Sequence, residues 1–462
     1  MNIAIIGGGF TGLTAAYELA KKGHKVTVFE KDKVLGGLAH GFKRPGWDWH
    51  LEYAYHHLFA NDWAILSLIR ELGLEDKLIL TRPITANYIS PSVIARSPAK
   101  GGATWQSLGL SEILHAREIA TPAERSRNDI KTIVQLDSPI HLLRYPGLSI
   151  IDKVRTAALV AFCKVNPFWQ PLEGITARQL FEVIGGATAW QKLWESLMIG
   201  KFGNLADTVA ASWLWARIKK RTPKLYYIKG GFHTLVAALE KAIKQHGGKI
   251  LANTAIIKLD QLVKFGQFDR ILLTVPTPIA AKLIPNLAFG IGHLALKIPH
   301  LHAQTLILET KEPILKEVYW LNITDRSFPF LAVVAHTNMI DKKHYGGRHL
   351  TYFGNYLPDG HPYLSMTKNQ LFKVFLPYVK RLNPAFHWSD WLNWSDLFIG
   401  LYAQPVHQLH YSSRAPKLET PVKGVYLANL DSIYPWDRGT NYAVELGIRA
   451  AKKIGEDAKE SF

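Results

Sequence analysis

Three features of the N-terminal segment predict an α/β fold: an apolar run at Ile3–Ile6, the glycine-rich turn Gly7–Gly12 behind it, and a second apolar run, Lys25–Phe29, closed by Glu30. An unbroken apolar run suits a strand covered on both faces, as in parallel sheets. The turn opens a helix whose residues Leu13, Ala16 and Leu19 fall on one side. In this spacing Gly7 permits the tight turn, Gly9 lets the backbone approach a pyrophosphate, and Gly12 lets the helix pack on the strand. Phe10 and Thr11 then lie in the first helical turn, where free N–H groups and the positive dipole end favour an anion. Glu30 suits a ribose diol, with Lys31 beside it, and an acid there disfavours a 2′-phosphate, which argues against NADP. Strand, turn, helix, strand and acid together predict a Rossmann-like dinucleotide site, which a bare glycine turn would not.

The chain continues into Gly36-Gly37-Leu38. This continuation resembles the FAD-binding opening shared by amine oxidases, protoporphyrinogen oxidases, phytoene desaturases and UDP-galactopyranose mutases. The resemblance implies FAD as cofactor, with the paired glycines letting the chain pass close to the phosphates and ribityl group. Leu38 departs from the arginine that many members carry there. Lys229-Gly230-Gly231-Phe232, a helical run through Leu235, Leu239 and Ile243, and a strand-like stretch Lys249–Leu259 are similar to the superfamily's return to its FAD domain. By that likeness Ile256 offers its backbone to the adenine.

The stretch from Gly424 to Ile454 resembles the closing strand-loop-helix over the flavin. Tyr426–Ala428 reads as the strand, Thr440 as the helix cap, and Ala443, Leu446, Gly447 and Ala450 as a face for close packing. Relatives carry Gly-Asp after the strand, whereas this chain has Asn429-Leu430-Asp431. Asp431 and Asp437 both stay open as the acid that meets the cofactor. Gly439, Thr440, Asn441 and Tyr442 are expected around the flavin, by the same likeness.

The fold so implied is a Rossmann-like FAD-binding domain with a discontinuous α+β substrate domain, made of an antiparallel sheet and a helical lobe. Its FAD part takes residues 1–60, 229–290 and 421–462, and its substrate part 61–228 and 291–420. Helical periodicity at Leu142–Leu148, Ile150–Phe162, Thr176–Ile184 and Trp190–Met198 marks the lobe, and Ala303–Leu308, Leu331–Ala335 and Leu350–Phe353 read as sheet. Residues Pro91–Asp129 have few aromatics and no sustained apolar period. They separate two pieces, Ala86–Ser90 and Ile130–Gln135, that would otherwise pair as a hairpin. The segment resembles translated genomic repeat DNA found inside unrelated bacterial reading frames, and it reads as a surface insertion.

Hydrophobic residues at 48% and charged ones at 20% describe an ordinary globular protein. The single cysteine, Cys163, excludes a disulfide framework and a flavin dithiol site. With an apolar strand leading at once into functional structure, it points to a cytoplasmic enzyme. The net charge of +18 suits a solvated basic surface, an anionic substrate or an anionic membrane face. A nucleic-acid partner is not expected, because the basic residues are spread along the chain. Trp213 and Trp215, followed by Arg217-Ile218-Lys219-Lys220-Arg221, read as core anchors, with peripheral contact to the inner membrane face as the alternative.

For chemistry beyond cofactor binding, Tyr55-His56-His57-Leu58-Phe59 falls where mutase relatives place a histidine-containing run near the isoalloxazine, and Glu52–Asp62 resembles a bacterial subgroup of the superfamily. A histidine there can carry a proton or hold flavin N5 in one hydrogen-bonding state. His57 ranks ahead of His56 because an apolar stretch follows it. Arg438 is placed to meet an anion, and Trp436 and Tyr442 to wall the pocket. No metal site is expected, since no histidine or carboxylate group has ligand spacing. The resemblance implies an oxidoreductase that moves a hydride from a small or lipid-like substrate onto flavin N5. The alternative is a nucleotide-sugar mutase in which reduced N5 acts as nucleophile.

Overall fold

The structure is a computed structural model that describes residues 1–89, 133–284, 297–387 and 391–459. The expected insertion Pro91–Asp129 lies outside these residues. In chain order the strands are β1 (Asn2–Ile6), β2 (Lys25–Phe29), β3 (Gly41–Phe42), β4 (Leu51–Glu52), β5 (Leu58–Phe59), β6 (Leu78–Thr81), β7 (Ile84–Tyr88), β8 (Ile133–Gln135), β9 (Leu225–Ile228), β10 (Lys249–Leu251), β11 (Arg270–Leu273), β12 (His300–Thr310), β13 (Val318–Ile323), β14 (Ala332–Ala335), β15 (His349–Leu357), β16 (Trp391–Pro405) and β17 (Val425–Leu427). The helices used below are α1 (Phe10–Lys21), α2 (Trp63–Glu71), α3 (Pro139–Leu143), α4 (Ile150–Val165), α5 (Ala177–Ile184), α6 (Ala211–Lys220), α7 (His233–Gln245), α8 (Thr277–Leu283), α9 (Lys368–Leu382) and α10 (Thr440–Lys459).

The chain divides into two compact units: Met1–Thr81, Lys220–Pro299 and His410–Phe462 form the first, and Arg82–Lys219 with His300–Leu409 the second. Five parallel strands in the order β10-β2-β1-β11-β17 make the first unit's sheet. Ile3, Ala4 and Ile5 are fully buried in its central strand, as a sheet covered on both faces requires. Helix α1 packs on both α7 and α10, and α10 also meets α2. The close approach of α1 and α10 depends on Gly447, where a Cβ would lie 2.6 Å from the Thr11 carbonyl oxygen.

The first unit reaches further than the sequence boundaries at 60, 229 and 421. Both β5 and β6 pair with β9, which holds the chain in this unit as far as Thr81 and recovers it before Leu225. Upstream of residue 421, the Tyr411 hydroxyl donates to the Asp431 carbonyl at 3.0 Å. The strand expected over Lys249–Leu259 stops at Leu251, and Asn253 takes a left-handed turn with φ 51. The amide of Asn253 then donates to the Asp32 carbonyl.

The second unit is built on a seven-stranded sheet in the order β16-β12-β15-β14-β13-β7-β8. Its pairings are antiparallel except for β13 with β7, which makes it a mixed sheet where the sequence predicts an antiparallel one. The predicted hairpin pieces do pair, with Tyr88 opposite Ile133 and Ala86 opposite Gln135. One face of the sheet packs on α9 through Leu306, Phe330, Phe353, Leu371 and Phe375. The lobe holds α3, α4 and α5, followed by a π-helical turn Trp190–Trp194 and a helix Glu195–Phe202. Ser149 and Asp152 form a capping box on α4, and Thr176 and Gln179 form one on α5. Helix α3 ends at Leu143, short of the expected Leu148. Trp213 and Trp215 on α6 are buried, and the Trp215 indole N–H donates to the Asn166 carbonyl at 3.0 Å, so the core reading of these residues holds over the lipid-contact one. Among the described residues no helix is long and apolar enough to cross a membrane.

Candidate functional site

The first unit gathers a glycine-lined cradle at the ends of β1 and β2. Gly7 turns the chain with φ 115, and its N–H donates to the Phe29 carbonyl at 2.9 Å. A Cβ on Gly12 would collide with the Gly7 carbonyl oxygen, so only glycine lets α1 sit this close to the turn. At the end of β11, the Thr274 hydroxyl lies 3.0 Å from the carbonyls of both Ile6 and Gly7 and pins the turn from the other side. Gly9 is the N-cap of α1 and supplies no side-chain cap, which leaves the first helical amides facing outward for an anion.

Glu30 is 8% exposed and fixed at both oxygens: Oε2 accepts from the Gly8 N–H at 2.7 Å and Oε1 from the Asp32 N–H at 2.9 Å. Each carboxylate oxygen retains a second lone pair for a diol. The Gly36 N–H donates to the Gly8 carbonyl at 2.8 Å, and Gly9 and Gly36 form a parallel bridge. Gly37, with φ 58, approaches Gly9 so closely that a Cβ there would stand 3.1 Å from Gly9 Cα. A Cβ on Gly9 itself meets nothing nearer than Gly37 Cα at 3.8 Å. This is a cradle with open space in front of Gly9, and it fits an extended dinucleotide.

A second constellation surrounds the start of α7. Glu52 is 1% exposed, with Oε1 accepting from the Phe232 N–H at 2.7 Å and Oε2 from the Tyr227 hydroxyl at 2.8 Å. Burial pushes its carboxyl up to about 7 against the lowering effect of those two donors. The His56 and Phe232 rings lie 5.5 Å apart, and His56 Nδ1 is 2.6 Å from the Ala54 carbonyl. Burial lowers the His56 imidazole to about 4, and the nearby charges of Arg438 and His40 push the same way, against the Ala54 hydrogen bond. A neutral ring then places its proton on Nδ1 and leaves Nε2 as an acceptor. His50 stacks on His233 with centroids 3.9 Å apart and is itself lowered to about 4 by burial, by His233 and by Lys43.

At the start of α10 the Tyr442 ring stacks on that of Trp436, just ahead of the helix, at 5.9 Å and 8°, and the Lys220 ammonium lies 4.7 Å from the Trp436 centroid. The model of the family described as flavin containing amine oxidoreductase matches residues 10–455. This chain belongs to that family. A 15-cis-phytoene desaturase of Synechococcus elongatus is 36% identical over 102 residues, 22% of this chain and 20% of the relative's length. An oxidoreductase from Methanosarcina mazei shares the fold with a TM-score of 0.67 at 18% identity, covering 98% of this chain and 100% of that one. Reduced UDP-galactopyranose mutase shares it with a TM-score of 0.67 at 15% identity, covering 98% and 95%.

The family is one of flavin-containing oxidoreductases, and the cradle at Gly7–Gly12 and Glu30 fits a dinucleotide. Of the residues expected to bind it, Gly7, Gly9, Gly12, Glu30, Gly36 and Gly37 come together through the contacts above. Phe10 and Thr11 are buried at the head of α1, and Leu38 is half-buried in the turn after Gly37. Lys31 points to solvent and pairs with Asp32 at 2.6 Å. The Ile256 side chain belongs to the core with Ala4, Ile6 and Phe29.

Asp431 and Asp437 are both buried, and the Asn429 side chain accepts from the Asp431 N–H while donating to the Val275 carbonyl. Gly439 and Thr440 open α10, and the Asn441 side-chain oxygen accepts from the Ile65 N–H at the start of α2. Both histidines of the pair are half-buried, His56 with Nδ1 on the Ala54 carbonyl and His57 with its ring edge-on to Phe59, ahead of the fully buried Leu58 of β5. Sequence reasoning missed Thr274 and gave Glu52 no role of its own. An acid set between Leu51 and Tyr53 was the available signal for Glu52, and a threonine at a strand end carries none.

Proposed function

We propose that the first unit holds FAD across the Gly7–Gly12 turn and that the enzyme oxidises a C–H or N–H bond of a small or lipid-like molecule. The observation that carries this reading is Glu30 locked beside an uncapped helix N-terminus and two approaching glycine turns. In it, the amides of Phe10, Thr11 and Gly12 receive the pyrophosphate, Glu30 the ribose diol, and the Ile256 backbone the adenine. Gly36, Gly37 and Leu38 line the path of the ribityl chain, with Asp431 or Asp437 supplying an acid to it. The N-terminus of α10, at Gly439–Tyr442, faces the ring system.

When bound, the flavin supplies a hydride acceptor. The chain's own part is to orient substrate, exclude water and hold protons in place. His56 offers a neutral acceptor at Nε2, Arg438 meets an anionic group, and Trp436 and Tyr442 form an aromatic wall. Family membership supports the oxidase or desaturase type of reaction over the mutase type.

The test is anaerobic absorbance of the purified yellow protein mixed in turn with amines, polyprenoids, porphyrinogens and nucleotide sugars. Bleaching of the flavin by one class without added reductant is expected. A protein that stays yellow with every class, yet isomerises a nucleotide sugar after reduction with dithionite, would replace this reading with the mutase one.

A further inference from the structure

Helix α4 in the lobe is amphipathic in the opposite sense to a packed surface helix. Its buried side is a narrow stripe of Thr156, Leu159 and Cys163. At 3.6 residues per turn, Ile150, Ile151, Val154, Phe162 and Val165 share the opposite side, with alanines at 157, 158 and 161 between them. Ile150 is 65% exposed, Ile151 67%, Val154 61% and Val165 79%. The elements packed against α4 extend the same character: Ile140 and Leu143 on α3 and Val183 on α5 are exposed, as is Phe168 just beyond the helix end. Exposed apolar residues gathered on packed neighbouring elements in this way mark an interaction site.

The borders of the face identify what it meets. Lys153 and Lys164 flank it on one side of the helix and Arg155 on the other, each donating to backbone carbonyls: Lys153 to Leu143, Lys164 to Lys219, and Arg155 to Glu182, Val183 and Ile184. The helix's one acid, Asp152, is held in the capping box with Ser149 on the other side. An apolar strip bordered on both sides by cations suits acyl chains beneath anionic headgroups. A symmetric contact between two copies would instead set these cations against their own counterparts. The net charge of +18 draws the whole molecule to the same surface.

We propose that α4, with the exposed residues of α3 and α5, is a docking face for an anionic lipid bilayer, with the helix lying in the plane of the interface. The face is independent of the flavin cradle, so loss of either reading leaves the other standing.

The experiment is co-sedimentation of the FAD-loaded protein with phosphatidylcholine vesicles and with phosphatidylcholine/phosphatidylglycerol vesicles, at about 0.15 M salt to screen loose surface attraction. Wild type is expected to partition onto the anionic vesicles. The double variant Ile151→Glu/Val154→Glu should lose that partition by at least about tenfold while keeping its flavin absorbance and elution volume. Equal partition of wild type and variant would overturn the proposal, since basic charge anywhere on the surface would then suffice. It would be overturned as well by wild type that ignores both vesicles, or by a wild-type oligomer that Val154→Glu splits into monomers.

Discussion

Glu52 and Phe232 stand 180 residues apart in sequence, yet the carboxylate of the first accepts the backbone N–H of the second at 2.7 Å. The bond joins β4 to the start of α7, and the Tyr227 hydroxyl on the other oxygen adds β9 to the joint. Gly231 makes the approach possible: it takes φ 81, and a Cβ there would lie 2.6 Å from the His50 carbonyl and 2.9 Å from Glu52 itself. One buried acid thus fastens together three segments of the first unit.

Glu52 sets a pH signature. Its carboxyl titrates near 7 in the folded protein and near 4.5 ordinarily, so between those values the folded state binds more proton and stability falls as pH rises. Glu52→Gln keeps an acceptor for Phe232 and a donor for Tyr227 without the charge. It should therefore match wild type near pH 4.5 and exceed it by about 1–3 kcal/mol above pH 7. Glu52→Ala leaves both partners buried without their acceptor and should cost about 1–3 kcal/mol near pH 4.5, a deficit that narrows as pH rises because this variant lacks the same titrating carboxyl. Thermal melts from pH 5 to about 8 read both effects, and a Gln variant that tracks wild type throughout would contradict them.

His56 carries the opposite sign. Its imidazole is lowered from 6.5 to about 4, so its contribution to stability is present above 6.5 and lost as pH falls through 4. Between pH 5 and about 8 it stays neutral, and no change of flavin spectrum in that range should trace to it. His56→Ala should alter the absorbance or reduction potential of bound flavin, and His57→Ala should do so less. Unaltered spectra and potential in His56→Ala with FAD fully bound would remove His56 from the site.

The parallel sheet was legible because its signals are local. An apolar run, three glycines at fixed spacing and an acid at a strand end lie within one strand-helix-strand unit, and the structure joins them through Gly8 and Glu30. The close-packed face of α10 was legible at Gly447 for the same reason. What escaped depends on distant partners. Thr274 matters only because β11 runs beside β1, and Glu52 only because α7 begins against β4. The unit boundary at Thr81 follows from β6 pairing with β9, a contact that no periodicity encodes. Exposure was equally hidden: the periodicity of Ile150–Phe162 shows a helix, but which of its sides is covered depends on its neighbours.

Deletion of Pro91–Asp129 follows from the pairing of β7 with β8. Tyr88 and Ile133 are direct partners, so Ser90 joined to Ile130 leaves a short connection between strands already side by side. Loop length changes closure free energy by only about 0.6 kcal/mol per doubling, so the shortened chain should fold and hold FAD like wild type. Loss of soluble, flavin-loaded protein would show that the segment is structural.

The claim that FAD lies across the Gly7–Gly12 turn is tested most directly at Gly9. A Cβ there meets nothing in the protein closer than 3.8 Å, whereas one on Gly12 collides with Gly7, so Gly9→Val separates ligand approach from folding and Gly12→Val does not. The measurement is the flavin absorbance of purified Gly9→Val, with circular dichroism and size exclusion reporting the fold. A folded, colourless protein is the predicted result. A folded variant as yellow as wild type would contradict the assignment.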